Sequence, residues 1–303
     1  MTTAATGRRT QGQPSWTPTP DGRLLYTMTL PGPDTDDENR SPTVVFEAGA
    51  AASRSSWAAI HPLVAAFATA VVYDRSGLGR SEPDPAGRTL DRMAEDLNAL
   101  LDHIDSDSNA TGSGRYVLVG HSAGGPIVRL AASRSPDRVT SLVLVDPTDE
   151  AADELFAPRF RRMERTALAL GGSLARARLL RFLYPGILKA APPDVRADLI
   201  REAFTPTVMA TARQQARTYL DELAAWRETP PELGHIPVTV ISGALPGDGM
   251  NQAIRDAANA SHAQRAAQSS QGRHVLAENS SHYVPLTDPD LIADEIRRIV
   301  KGE

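Results

Sequence analysis

An apolar run, Val117-Leu118-Val119, stops at Gly120-His121-Ser122-Ala123-Gly124-Gly125, and helix-forming residues follow over 127–132. A strand that ends in Gly-x-Ser-x-Gly and turns straight into a helix holds the serine at a tight corner. Its hydroxyl is then lifted from the sheet edge. Gly120 and Gly124 flank it because a side chain at either would collide with neighbouring backbone. A turn of small residues in any α/β protein would also carry such a pentapeptide. The strand before it and the helix after it favour the reading of Ser122 as a nucleophile.

Strands and helices alternate around this turn. Short apolar strands are expected at 43–47, 68–73, 116–119 and 141–145, and helical spacing at 56–67 and 89–104. Residues 22–30 read as the first strand of a hairpin. That alternation predicts an α/β fold with a doubly wound, mostly parallel sheet. It breaks over 149–232, a helical stretch interrupted at Gly171-Gly172, Pro185-Gly186, Pro192-Pro193 and Pro230-Pro231, which reads as an inserted helical cap. Strands resume at 237–241 and 274–277, and a last amphipathic helix is expected over 288–300. The expected organisation is a disordered leader at 1–21, a core domain at 22–148 and 233–303, and a cap subdomain at 149–232. Residues 31–40 read as a turn-rich acidic loop.

Composition narrows the partners. The net charge of −5 comes without a long basic stripe, so nucleic acid is not expected. The chain has no cysteine, which excludes disulfides and Cys-ligated metals and fits a reducing, cytoplasmic setting. Residues 1–21 lack the apolar run of a secretory signal. No window approaches the roughly 18 apolar residues of a membrane span, so no integral membrane association is expected.

A serine hydroxyl needs a base to take its proton and a third group to orient that base. Of seven histidines, His282 is the best placed, in Asn279-Ser280-Ser281-His282-Tyr283-Val284-Pro285 between the last strand and the last helix. The turn should point His121 away from the serine. His61 and His103 sit on helical patterns, and His235, His262 and His274 have no motif around them.

With these residues in place, the chain resembles an α/β-hydrolase fold enzyme with a helical lid, over about residues 22–301. Gly120 to Gly125 resemble that family's nucleophile elbow. Asp74-Arg75-Ser76-Gly77-Leu78-Gly79-Arg80-Ser81 resembles its Asp-x-x-Gly-x-Gly-x-Ser loop. His282, followed by Pro285, Asp288 and Pro289, resembles its catalytic histidine segment. The resemblance implies a Ser–His–acid triad in chain order, a small-molecule substrate, and no metal or organic cofactor. Its serine argues against the dehalogenase and epoxide hydrolase branches, which use aspartate.

Two carboxylates compete for the acid. The commonest family position lies about three residues past the glycine that closes the strand after the lid. Here the strand closes at Ser242-Gly243, and that position is Pro246; the nearest acid is Asp248, in strong turn chemistry. Other branches use the end of the strand after the nucleophile helix, where Asp146 stands, and Asp146 is the favoured choice. The oxyanion hole is expected from the backbone N–H groups of Ala123 and Ala50. Ala48-Gly49-Ala50 replaces the family's His-Gly-x, and Glu47 beside it is either a second acid or a structural hydrogen-bonding group. In the lid, Arg161, Arg162, Arg165, Arg176 and Arg178 interrupt apolar stretches. Three readings stay open there: a cover over an acyl pocket, an interfacial helix for anionic lipid, or ordinary amphipathic packing.

The expected function is serine hydrolysis of an ester, lactone or thioester of a small to medium apolar substrate. Acyl transfer or cyclisation at the same site, or a non-catalytic ligand receptor, are the alternatives.

Overall fold

The middle strands are apolar on both faces, which commits them to a sheet covered by helices on each side. The computed structural model describes residues 9–33, 41–106 and 113–303, and over them that sheet has eight strands. They are β1 (Gln13–Pro18), β2 (Leu24–Leu30), β3 (Thr43–Glu47), β4 (Ala70–Tyr73), β5 (Tyr116–His121), β6 (Val139–Val145), β7 (Val238–Gly243) and β8 (Arg273–Ala277). Their order is β1-β2-β4-β3-β5-β6-β7-β8. The β1–β2 and β2–β4 pairs are antiparallel, and the remaining neighbours are parallel.

Side chains leave each strand with a period of two. Val45, Leu118, Leu142 and Leu144 enter one core, and Val44, Phe46, Val119 and Val143 enter the other. The first core is closed by α2 (Leu90–Ser106) and α3 (Gly124–Arg134), and the second by α1 (His61–Ala65) and α11 (Pro289–Lys301). Leu118 and Val119 are fully buried. Truncating Leu118 to Ala should therefore cost about 2–5 kcal/mol.

Between β6 and β7 the described residues form α4 (Pro158–Arg176), α5 (Pro185–Ala190), α6 (Pro193–Glu202), α7 (Pro206–Gln215) and α8 (Tyr219–Ala225), with no strand among them. Tyr219, Leu220 and Leu223 of α8 rejoin the first core. The remaining helices are α9 (Gln252–Ala267) and α10 (Val284–Thr287). Among the described residues no helix is long and apolar enough to cross a membrane.

Three local expectations need correction. The expected leader is strand β1 over Gln13–Pro18, which makes residues 24–30 the second strand of the hairpin rather than the first. β1 is an edge strand with most side chains exposed, and an edge tolerates its Pro14 and Pro18. Residues 56–67 form a 3-10 turn at Arg54–Trp57 and then the short α1, not one helix. Pro62 lacks an N–H and its ring would clash with the Ala58 carbonyl in a continuous helix, so the helix restarts at His61. Helix α9, absent from the sequence reading, starts where the Asn251 side chain accepts from the Ile254 N–H at 3.0 Å. Residues 1–8 of the expected leader and 34–40 of the acidic loop lie outside the described residues.

Candidate active site

The chain runs from β4 to β5 across β3, so the sheet changes direction between β3 and β5. Ligand sites of open α/β sheets lie at the carboxyl ends of strands beside such a switch. Ser122 stands at that end of β5. Its φ of 51° is in the left-handed region, which costs a non-glycine residue about 1–2 kcal/mol. The turn is held by Ser122 N–H donating to the Val145 carbonyl, and by Gly125 and Thr148 N–H groups donating to the Ser122 carbonyl, each at 3.0 Å. Both neighbouring glycines are required. A Cβ on Gly120 would stand 2.6 Å from the Gly124 carbonyl oxygen, and one on Gly124 would stand 2.6 Å from the Glu47 carbonyl oxygen.

His121 and Val145 are register partners in β5 and β6. Ser122 and Asp146 are therefore the next residues of two adjacent strands, and Asp146 also has a positive φ, 41°. His282 reaches in from the loop after β8 and bridges them. Its Nε2 is 3.1 Å from Ser122 Oγ and its Nδ1 is 2.6 Å from Asp146 Oδ2. A carboxylate can only accept, so Nδ1 carries a proton, and neutral His282 then offers Nε2 to the serine O–H. Asp248 is not brought to His282; its Oδ2 accepts from the Ser281 hydroxyl.

Asp146 is held from three sides. Arg255 of α9 donates to both its oxygens, and the Gly243 N–H donates to Oδ1 at 3.0 Å. Burial works to raise the Asp146 pKa, but the hydrogen bonds from His282 and Arg255 outweigh it and hold the carboxyl well below its usual range. His262 anchors the same corner. Its Nε2 donates to the Pro147 carbonyl at 2.8 Å, and its Nδ1 accepts from Ser242 Oγ at 2.7 Å. Ser242 in turn accepts from His274 Nε2 at 2.9 Å. Burial lowers the pKa of His262, so it packs as a neutral ring. Neither Arg255 nor His262 belongs to a sequence motif; both come from the unexpected helix α9.

His121 turns away from the serine hydroxyl as expected, but it has a task. Its Nε2 donates to the His282 carbonyl at 3.0 Å, and the two rings lie 4.9 Å apart. Burial pushes its pKa down to about 3, so it stays neutral beneath the His282 loop.

The Ala48-Gly49-Ala50 loop lies beside the serine, since a Cβ on Gly49 would be 3.3 Å from Ser122 Cβ. Ala123, the other expected oxyanion donor, caps the start of α3. Glu47 accepts from the Tyr73 hydroxyl and from Arg75. Arg75 also donates to the carbonyls of Ala48 and, at 2.6 Å, of Gly49. Glu47 thus holds the arginine that fixes the loop. Burial raises its pKa against the pull of Arg75 and Tyr73. The Asp74 to Ser81 loop folds round its own aspartate: Asp74 accepts from the N–H groups of Arg54 at 2.9 Å and Arg80 at 3.0 Å. A Cβ on Gly79 would stand 2.1 Å from Asp74 Oδ2. Buried Arg54 links Asp74 to Asp198 and Glu202 of α6, which ties the helical insertion to the sheet.

The sequence model of the alpha/beta hydrolase family matches residues 44–295. The chain belongs to that family. The chain is 25% identical over 257 residues to abhydrolase domain-containing protein abhd-5.2 of Caenorhabditis elegans, covering 80% of this chain and 57% of the relative. It spans about half the length of such curated relatives. Its fold is like that of a thermophilic esterase from Thermogutta terrifontis, with a TM-score of 0.69 at 18% identity, over 96% of this chain and 99% of the other. Epoxide hydrolase CorEH gives the same TM-score, identity and coverage. At this identity the likeness is one of fold.

Proposed function

We propose that this alpha/beta hydrolase is a serine hydrolase that cleaves an ester, lactone or thioester of a small to medium apolar substrate through an acyl-enzyme. The observation that carries the reading is the unbroken series Ser122 Oγ, His282 and Asp146, with steps of 3.1 and 2.6 Å. Ser122 Oγ attacks the acyl carbon as its proton passes to His282 Nε2. The backbone amides of Ala50 and Ala123 receive the negative oxygen of the tetrahedral intermediate. Collapse breaks the bond to the leaving group, which takes the proton from His282. Water then repeats the sequence on the acyl-enzyme, giving the acid and restoring Ser122. Asp146 keeps the imidazole in the required tautomer and stabilises the imidazolium.

In this reading residues 149–232 act as a cap over the site. Pockets between a core and a cap are mostly apolar with few polar groups. Each buried methylene of the acyl chain adds up to about 0.8 kcal/mol, roughly fourfold in kcat/KM, until the pocket is full.

The test is labelling with a fluorophosphonate, mapped by mass spectrometry, followed by a panel of esters of rising chain length. Modification of Ser122, absent in Ser122→Ala, with kcat/KM rising and then levelling is expected. No modification of Ser122 in the folded protein overturns the serine mechanism. A flat panel overturns the apolar pocket.

A further inference from the structure

The helical insertion carries a surface that this chemistry does not use. Residues 158–190 hold seven arginines and one lysine against a single carboxylate, Glu164, in a chain of net charge −5. Arg159 and Arg161 pair with Glu154 and Asp221. Among the described residues, Arg162, Arg165, Arg176, Arg178 and Arg181 have no carboxylate within ion-pair distance.

These charges share a face with exposed apolar side chains. Helix α4 buries Gly171, Gly172 and Ala175. Seven residues make nearly two helical turns, so Arg162, Ala169 and Arg176 form one column, and Met163, Leu170 and Ala177 form the next. Both columns lie outward, with Met163 53% and Leu170 59% exposed. Beyond the helix, Leu180 and Tyr184 turn inward against Met209 and Phe204. That leaves Leu179, Phe182 and Leu183 outside, the last two more than 60% exposed. Arg178 ends the helix at a φ of 61°, a position that glycine takes without strain and an L side chain does not. A cation is kept there against the backbone preference.

We propose that this face of the insertion docks on an anionic lipid bilayer. The arginines meet the headgroups, and Leu179, Phe182 and Leu183 enter the acyl boundary. The occupant must supply many negative charges in no fixed array and, directly behind them, an apolar layer. An anionic membrane surface offers both.

The experiment is flotation of the full chain with phosphatidylcholine vesicles and with phosphatidylcholine–phosphatidylglycerol vesicles, at low and raised salt. It is repeated with Ser122→Ala, so the result does not depend on the proposed chemistry. Binding to the anionic vesicles alone, weakened by salt, is expected. Arg176→Gln and Arg181→Gln should each weaken it about fivefold. The Phe182→Ser, Leu183→Ser double variant should abolish it, with turnover of a soluble ester unchanged. Arg178→Gly separates charge from folding: it should hold or raise the melting temperature while weakening vesicle binding. Equal binding to both vesicles, no binding, or affinity unchanged in the variants overturns the proposal. So does a dimer in sedimentation that the double variant dissolves, which would assign the face to a second copy of the chain.

Discussion

Arg255 grips both oxygens of Asp146, Nη1 to Oδ1 at 2.6 Å and Nη2 to Oδ2 at 3.2 Å, with both side chains buried. The same carboxylate holds His282. One charge therefore serves a fixed cation from behind and the imidazole in front. Losing one member of such a pair strands the other, typically at about 3–5 kcal/mol. Arg255→Met should lose about 3 kcal/mol of stability in urea unfolding. With Asp146 released, kcat should fall by at least about tenfold, because small misplacements in a proton relay are costly. Arg255→Lys keeps the charge without the fork and should fall between. A loss under about 1 kcal/mol with unchanged kcat would show that the pair does not position Asp146.

Buried histidines predict the acid sensitivity of the fold. Burial lowers His61 to about 4 and His121 to about 3. Their unfolded pKa is about 6.5. Between those values the unfolded chain binds protons that the native chain refuses, so stability rises with pH across the window and is lost as pH falls through it. Each histidine contributes a slope of about 1.4 kcal/mol per pH unit. Asp146, depressed in the fold, stabilises above the ordinary aspartate pKa of about 3.9 and loses that contribution only as pH falls further. Urea unfolding at stepped pH should show stability declining below about pH 6.5, and His61→Gln should reduce the slope by one histidine's share. A flat profile down to pH 5 would mean that these rings protonate in place.

The two candidate acids separate cleanly by mutation. Asp146→Asn removes the acceptor that sets the His282 tautomer, and kcat should drop by about 10⁴-fold, as should Ser122→Ala. Asp248→Asn removes only a hydroxyl contact with Ser281 and should change kcat by less than about threefold. The reverse ranking in stable variants would move the acid to Asp248.

The sequence made Ser122 and His282 visible because each sits in local chemistry, a glycine-flanked turn and a loop between the last strand and the last helix. The parallel sheet was equally visible, because buried strands are written as short apolar runs. The acid stayed open between two strand ends. In the structure the two carboxylates have different partners: Gly243 closes β7 and its N–H donates to Asp146, while Asp248 turns to Ser281. Arg255 and His262 could not be read, since they lie 109 and 115 residues along the chain from Asp146 and Pro147. Only the docking of α9 brings them together. β1 was hidden because an edge strand with exposed side chains has the polarity of a loop.

Two glycines near the serine should differ in what their substitution costs: one stability and turnover together, the other turnover alone. A Cβ on Gly124 would stand 2.6 and 2.8 Å from the carbonyl oxygens of Glu47 and Ala48, which are backbone and cannot swing aside. Gly124→Ala must push α3 away from β3, and overpacking of this kind costs about 1–3 kcal/mol. It should also part Ser122 from His282, so stability and kcat fall together. Gly49→Ala meets only side-chain atoms, His121 Nδ1 at 3.1 Å and Ser122 Cβ at 3.3 Å. A shift of a few tenths of an ångström relieves it, so stability should change by less than about 1 kcal/mol. The atoms that must yield, however, belong to Ser122, the proposed nucleophile, and to the histidine under the His282 loop. Gly49→Ala should therefore lower kcat about tenfold or more while leaving KM for a soluble ester nearly unchanged, because the misplaced groups act in the transition state. Steady-state kinetics beside urea unfolding decides the matter. A Gly49→Ala enzyme with unaltered kcat would remove the loop after β3 from the proposed oxyanion site.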